Sequence, residues 1–245
     1  MTEFTISVAG VPVGVTAMFD STRDYCRAYF TDEEPAFRVS TTREDLDFEQ
    51  QKGREEAIIE GFRFREFPDP YLERTAIQRK IAEQLFDRDA LVVHGSVVAV
   101  DGQGYLFTAK SGTGKSTHTR FWRETFGDRA VMVNDDKPFL HITEDTVTVY
   151  GSPWSGKHGL DTNIAVPLKA ICILQRGVEN CIQRIEPKDA LMMLLQQSNR
   201  PLDRQQLGKY MELVDRLARN TALWKMQCNL DPRAAVVAHE AMSKG

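Results

Sequence analysis

The chain has 245 residues, enough for one large domain or one and a half ordinary ones. A hydrophobic fraction of 42% and a charged fraction of 27% are those of a globular protein with a real core. The net charge of −4, from 31 basic and 35 acidic residues, argues against a general nucleic-acid binder, whose footprint is usually basic.

No window approaches the ~20 apolar residues that a membrane span needs. Met1-Thr2-Glu3-Phe4 has neither the basic region nor the apolar run of a signal peptide. A cytoplasmic protein with no membrane or nucleic-acid partner is expected. Cys26, Cys172, Cys181 and Cys228 form no C-x-x-C pair and fit no zinc spacing, so they read as reduced thiols.

In chain order, Phe4, Ile6 and Val8 alternate, and so do Val11, Val13 and Val15. They predict two strands with a turn near Ala9-Gly10. Ser21–Phe30 reads as a short helix capped by Ser21, and Ala36–Ser40 as a strand. Thr41–Glu60 is charged and helical in look. Phe62, Phe64 and Phe67 predict a strand ended by Pro68-Asp69-Pro70. A helix is expected over Tyr71–Asp87, with Ile77, Ile81 and Leu85 as its buried stripe.

From Leu91 the pattern changes to short strands: Leu91–Val93, Val97–Val100, Tyr105–Thr108, Ala130–Val133, Phe139–Ile142, Val147–Tyr150, Leu168–Leu174 and Ile182–Ile185. A helix ended by Gly127 runs from Lys115 to Phe126. Helices are expected from Pro187, over Asp203–Asn220 and after Asp231-Pro232, with a returning strand at Ala222–Met226. The division expected is an N-terminal α+β region, 1–88, packed on a nucleotide-binding catalytic domain, 89–245.

Tyr105–Arg120 reads Y-L-F-T-A-K-S-G-T-G-K-S-T-H-T-R. A strand, a glycine-containing loop ending in G-K-S-T, and a helix form the layout of a phosphate-binding loop. Ser111, Gly112, Thr113, Gly114, Lys115, Ser116 and Thr117 are its candidate nucleotide-binding residues. In such a loop backbone N–H groups wrap phosphates, the lysine meets the outer ones, and the hydroxyl of Ser116 ligates Mg²⁺. Ala109 replaces the first glycine of the motif, which requires an ordinary backbone conformation there.

The Val131–Val133 strand delivers Asp135-Asp136. An acidic residue at the end of a neighbouring strand is the usual second half of a Mg²⁺–nucleotide site, and a second carboxylate is free for general-base work. Which aspartate does which stays open on the residues alone. His94, before Gly95-Ser96, stands at a strand end and is a candidate to line the site. Gly151–Gly159 forms a glycine-rich loop whose Lys157 and His158 are candidates to face the acceptor or the transferred phosphoryl group.

His94-Gly95, Gly112-Thr113-Gly114-Lys115-Ser116 and Asn134-Asp135-Asp136 together resemble the catalytic domain of HPr kinase/phosphorylase. More widely, the chain is similar to the phosphoenolpyruvate-carboxykinase-like superfamily of phosphate-loop proteins. The resemblance covers about 91–195 and implies an α/β class with mixed sheets, built on a kinase core, with a smaller N-terminal α+β region. It implies ATP and Mg²⁺, and phosphoryl transfer to a serine or similar hydroxyl. Carried over by position, Lys115 holds the outer phosphates, Ser116 and Asp136 bind Mg²⁺, Asp135 or Asp136 is the base, and His94 lines the site. Two departures stand out. Thr117 replaces the family's acidic residue, and Ser152–Gly159 replaces its glycine-rich signature. Smaller stand-alone proteins of this type resemble kinases of modified-peptide gene clusters, some of which phosphorylate a precursor peptide's serine.

The leading expectation is a kinase acting on a peptide or protein serine or on a small metabolite. A homo-oligomer is compatible with it. The alternative is an ATP-binding regulatory protein without transfer to a partner. A carboxykinase proper would need a longer chain and a second set of metal ligands.

Overall fold

The computed structural model describes residues 1–61, 63–201 and 203–244. The chain divides into two compact units, Met1–Gln84 and Leu85–Gly245. Among the described residues no helix is long and apolar enough to cross a membrane.

In the first unit β1 (Thr2–Val8) and β2 (Val11–Ala17) form an antiparallel hairpin. Its two turn residues, Ala9 and Gly10, both have positive φ (52° and 75°), the two-residue turn whose twist matches the strands it joins. A short α1 (Asp20–Tyr25) follows, and β3 (Phe37–Ser40) then pairs parallel to β2. A capping box of Thr42 and Asp45 starts α2 (Arg43–Glu60), which stops at Gly61 in the left-handed conformation. The next helix is α3 (Asp69–Phe86). Ile77, Ile81 and Leu85 are fully buried on it, and so is Glu73 one step earlier on the same stripe.

Two expectations fail here. The cap of α1 is Phe19, not Ser21, and that helix ends by Tyr25 because the chain tightens into a 3₁₀ turn at Arg27–Tyr29. The expected Phe62–Phe67 strand is absent over 63–67, and Phe62 lies outside the described residues. Phe64 and Phe67 instead pack edge-on at 6.2 Å, and Phe67 stacks on Tyr71 at 4.9 Å. The alternation reflected ring packing beside a helix start, not a pleat.

The second unit contains β4 (Ala90–Val92), β5 (Ser96–Val100), β6 (Gln103–Thr108), α4 (Lys115–Phe126), β7 (Ala130–Asn134), β8 (Phe139–Ile142) and β9 (Val147–Tyr150). It continues with β10 (Ala165–Arg176), β11 (Cys181–Arg184), α5 (Pro187–Gln197), α6 (Leu207–Asn220), β12 (Ala222–Cys228) and α7 (Arg233–Met242). The strand order is β4-β8-β9-β10-β6-β5-β7, with β12 also paired to β10, and β11 to β12. The class is therefore α/β with a mixed sheet.

The long β10 joins the two halves of that sheet. Ala165–Pro167 pair antiparallel with β9, and the rest of β10 runs parallel to β6 and β12. Around β10 the alternation splits cleanly between two faces. Leu106, Ile171 and Ile173 join α5 and α6 through Leu194, Leu213 and Leu217. Tyr105, Phe107, Cys172 and Leu174 join α4 and α7 through Trp122, Ala235 and Ala238. Both faces are covered, so these strands read as nearly continuous apolar runs.

Candidate functional site

The parallel strands β6 and β10 deliver the phosphate-type loop at their C-terminal ends. Ala109 is fully buried and stays out of the left-handed region, as its side chain requires. Gly112 (φ 73°) and Gly114 (φ 114°) adopt that region, and a Cβ on either would meet open space. Among the described residues the N–H groups of Ser111, Gly112 and Gly114 find no backbone carbonyl. The first N–H groups of α4 are orphaned by helix geometry. This cradle of donors beneath open space fits a bound phosphate. Arg176, at the end of β10, clips the loop by donating to Gly112 O at 2.5 Å.

Lys115 bends back along the loop, its Nζ 3.4 Å from Ala109 O. Burial holds its pKa below the ordinary lysine value. The carboxylates of Asp136 and Asp135 oppose that shift, and the Lys137 ammonium adds to it. His94 Nε2 lies 3.3 Å from Asp136 Oδ1. Burial, then Lys137 and Lys115, push the imidazole down to about 3. His94 is therefore neutral where it borders the carboxylate. The Asp136 carboxyl is raised, chiefly by burial and slightly by Asp135, against the two lysines.

The backbone pins these groups. His94 N donates to Gln197 O (2.6 Å), Thr108 Oγ1 to His94 O (3.0 Å) and Gly95 N to Asp136 O (3.0 Å). Asn134 Oδ1 accepts from the N–H groups of Asp136 and Lys137, at 2.8 and 2.7 Å, which bends the chain just after β7.

Asp135 is the buried member of the pair. Its Oδ1 accepts from Ser96 Oγ at 2.6 Å, and Ser96 Oγ lies 2.9 Å from Thr119 Oγ1. Sequence reasoning missed Ser96, Thr119 and Asn134 as site residues. Their signal was a polar residue at a position where the strand or helix pattern calls for an apolar one. All three are buried.

The Gly151–Gly159 loop wraps beside Asp136. A Cβ on Gly151 would fall 1.9 Å from Thr162 O, so only glycine permits this approach. Asn134 Nδ2 donates to Ser152 O and Ser152 Oγ, and Ser155 Oγ donates to Asp161 Oδ2 at 2.5 Å. Trp154 is buried against Phe139 and serves the core. A Cβ placed on Gly156 would lie 3.0 Å from Asp136 Cβ, so the turn Gly156–His158 backs that aspartate. Lys157 and His158 are exposed on it. Ser116 and Thr117 open α4, half-buried.

Among the described residues no cluster of three or more His, Cys, Asp or Glu side chains could hold a metal. The donors present, one hydroxyl at Ser116 and the two carboxylates, suit Mg²⁺, which keeps waters and shares phosphate oxygens with a nucleotide.

A family model described as SynChlorMet cassette protein ScmC matches residues 72–236. A solved structure, the Hpr(Ser) kinase/phosphatase from Coxiella burnetii, aligns over 63% of this chain and 99% of its own, with 11% identity and a TM-score of 0.35. No curated protein matches the sequence.

Proposed function

The chain belongs to the family described as SynChlorMet cassette protein ScmC, a description that names no reaction, and from its site we propose an ATP- and Mg²⁺-dependent kinase. It transfers the γ-phosphoryl group to a hydroxyl, on a peptide or protein serine or on a small metabolite. One observation carries this reading. Lys115 of the phosphate loop shares its electrostatic neighbourhood with both carboxylates of the Asp pair, and a neutral histidine touches one of them.

The residues take these roles. Backbone N–H groups from Ser111 to Thr117 hold the phosphates, and Lys115 neutralises the outer ones. Mg²⁺, when bound, screens charge between the phosphates, and Ser116 with Asp135 would hold it. The resemblance carried Asp136 to the metal, but the geometry supports the division better the other way round. Asp135 is tied down by Ser96, as a fixed ligand needs. Asp136 is half-buried, with His94 Nε2 3.3 Å from its Oδ1. It takes the acceptor hydroxyl's proton as the new O–P bond forms and the bond to ADP's bridging oxygen breaks. Lys157 and His158, exposed on the turn that begins at Gly156, would meet the acceptor.

The test follows γ-labelled phosphate from ATP into a cell lysate, with purified protein. Labelling of an acceptor that requires Mg²⁺ and is lost in Lys115→Ala and Asp136→Asn is the expected outcome. Nucleotide binding without transfer to any acceptor would instead favour the regulatory reading.

A further inference from the structure

We infer that Ser96 and Thr119 are positioning residues, which tie the first turn of α4 to Asp135 and so set the metal site. The inference rests on the proposed nucleotide–metal reading of the site.

A carboxylate only accepts, so the proton in the 2.6 Å contact comes from Ser96 Oγ. A hydroxyl has one proton. Ser96 therefore accepts in its 2.9 Å contact, and Thr119 Oγ1 donates. Thr119 has two competing acceptors in its own helix, Ser116 O at 3.3 Å and Lys115 O at 3.4 Å, both longer. The result is a directed chain: Thr119 on α4, Ser96 on β5, Asp135 after β7. Ser96, Thr119 and Asp135 are exposed by 0%, 1% and 7%, so water does not compete for these protons.

The placement gives the chain its consequence. Thr119 sits one turn after Lys115 and Ser116, on the face they share. Asp135 Oδ2 takes no protein donor among the described residues. A buried carboxylate with one oxygen filled by a hydroxyl and one left over is oriented, not merely satisfied. Ser96 fixes which oxygen is spent inside the protein, and Thr119 fixes Ser96 relative to the helix that carries the Ser116 hydroxyl. The two proposed metal-holding groups thereby keep a set separation.

The experiment measures affinity for ATP twice, with Mg²⁺ and with EDTA, so it needs no phosphoryl transfer. Ser96→Ala is expected to raise the Mg²⁺ concentration that half-saturates MgATP binding by ~10–100-fold, the usual effect of losing a group that orients a ligand. Affinity for metal-free ATP stays unchanged. Thr119→Val shifts the Mg²⁺ midpoint in the same direction, Thr119→Ser restores it, and Ser96→Ala/Thr119→Val is no worse than Ser96→Ala alone. Two results overturn the inference: an unshifted Mg²⁺ midpoint in both Ser96→Ala and Thr119→Val, or equal weakening of metal-free and metal-bound ATP. If the wild type shows the Mg²⁺ dependence but transfers nothing, the kinase proposal fails and the positioning role stands.

Discussion

The His94 imidazole borders the Asp136 carboxylate, Nε2 3.3 Å from Oδ1, and burial, aided by Lys137 and Lys115, keeps it neutral. A charged histidine there would form an ion pair and lower the basicity of Asp136. A neutral one beside the carboxylate leaves it able to accept a proton. Asp136→Asn is expected to cost ~10²–10⁴-fold in transfer rate, the range of general-base catalysis. His94→Gln, which keeps an N–H donor, should lose less than His94→Ala. Single-turnover rates with saturating MgATP check this order, and His94→Ala matching wild type would refute a role for His94 beside the carboxylate.

Much of this arrangement was legible in the chain. The G-K-S-T loop between an apolar strand and a helical pattern placed Lys115 at a helix start, and Val131–Val133 put Asp135-Asp136 at a strand end. The apolar runs Tyr105–Phe107 and Ile171–Leu174 were readable as buried strand because both faces are apolar. What stayed hidden depends on contacts between elements far apart in sequence. Nothing local says that Ser96 reaches Asp135, 39 positions away, or that β10 changes partners after Pro167. The Gly151–Gly159 loop was read for its exposed cations, and the same loop also turns Trp154 inward against Phe139. Glu73 could have been found. It occupies the stripe of Ile77, Ile81 and Leu85, where an acid must be paired.

Two glycines of the site separate conformational from steric demand. Gly112 needs φ 73° but has open space, so Gly112→Ala should cost ~1–2 kcal/mol of backbone strain. Gly151 lies against Thr162 O and Val133 O, backbone atoms with no rotamer to yield. Gly151→Ala should cost more than Gly112→Ala, and it should disturb Asp161–Ile164. Urea midpoints rank the two, and hydrogen exchange across 161–164 locates the damage.

In the first unit the fully buried Glu73 holds four donors: the N–H groups of Met18 and Phe19 and the hydroxyls of Thr22 and Thr41. Its carboxylate links the end of β2, α1 and the residue after β3 to α3. Glu73→Gln turns one acceptor into a donor facing donors, and it should lose ~1–3 kcal/mol, the cost of a buried group left unsatisfied. Faster hydrogen exchange at Met18, Phe19 and Thr22 is the expected local sign. Unchanged exchange there would show that these bonds do not hold the turn.

Cys26 supplies a stability change with a defined sign. Burial, only partly offset by Arg74, pushes its thiol from 9.0 up to about 12. A raised folded value means that the unfolded chain releases this proton first as pH rises. The contribution is complete below pH 9 and is lost between 9 and about 12. Where Cys26 alone is concerned, the slope is about 1.4 kcal/mol per pH unit. Other groups titrate in the same window, so the difference between wild type and Cys26→Ala is the quantity to measure. The substitution removes a small buried side chain at a cost that does not vary with pH. The gap between the two unfolding curves should therefore narrow steadily from pH 9 upward. A gap that stays constant to pH 11 would mean that the thiol ionises in the folded protein as readily as in the unfolded one.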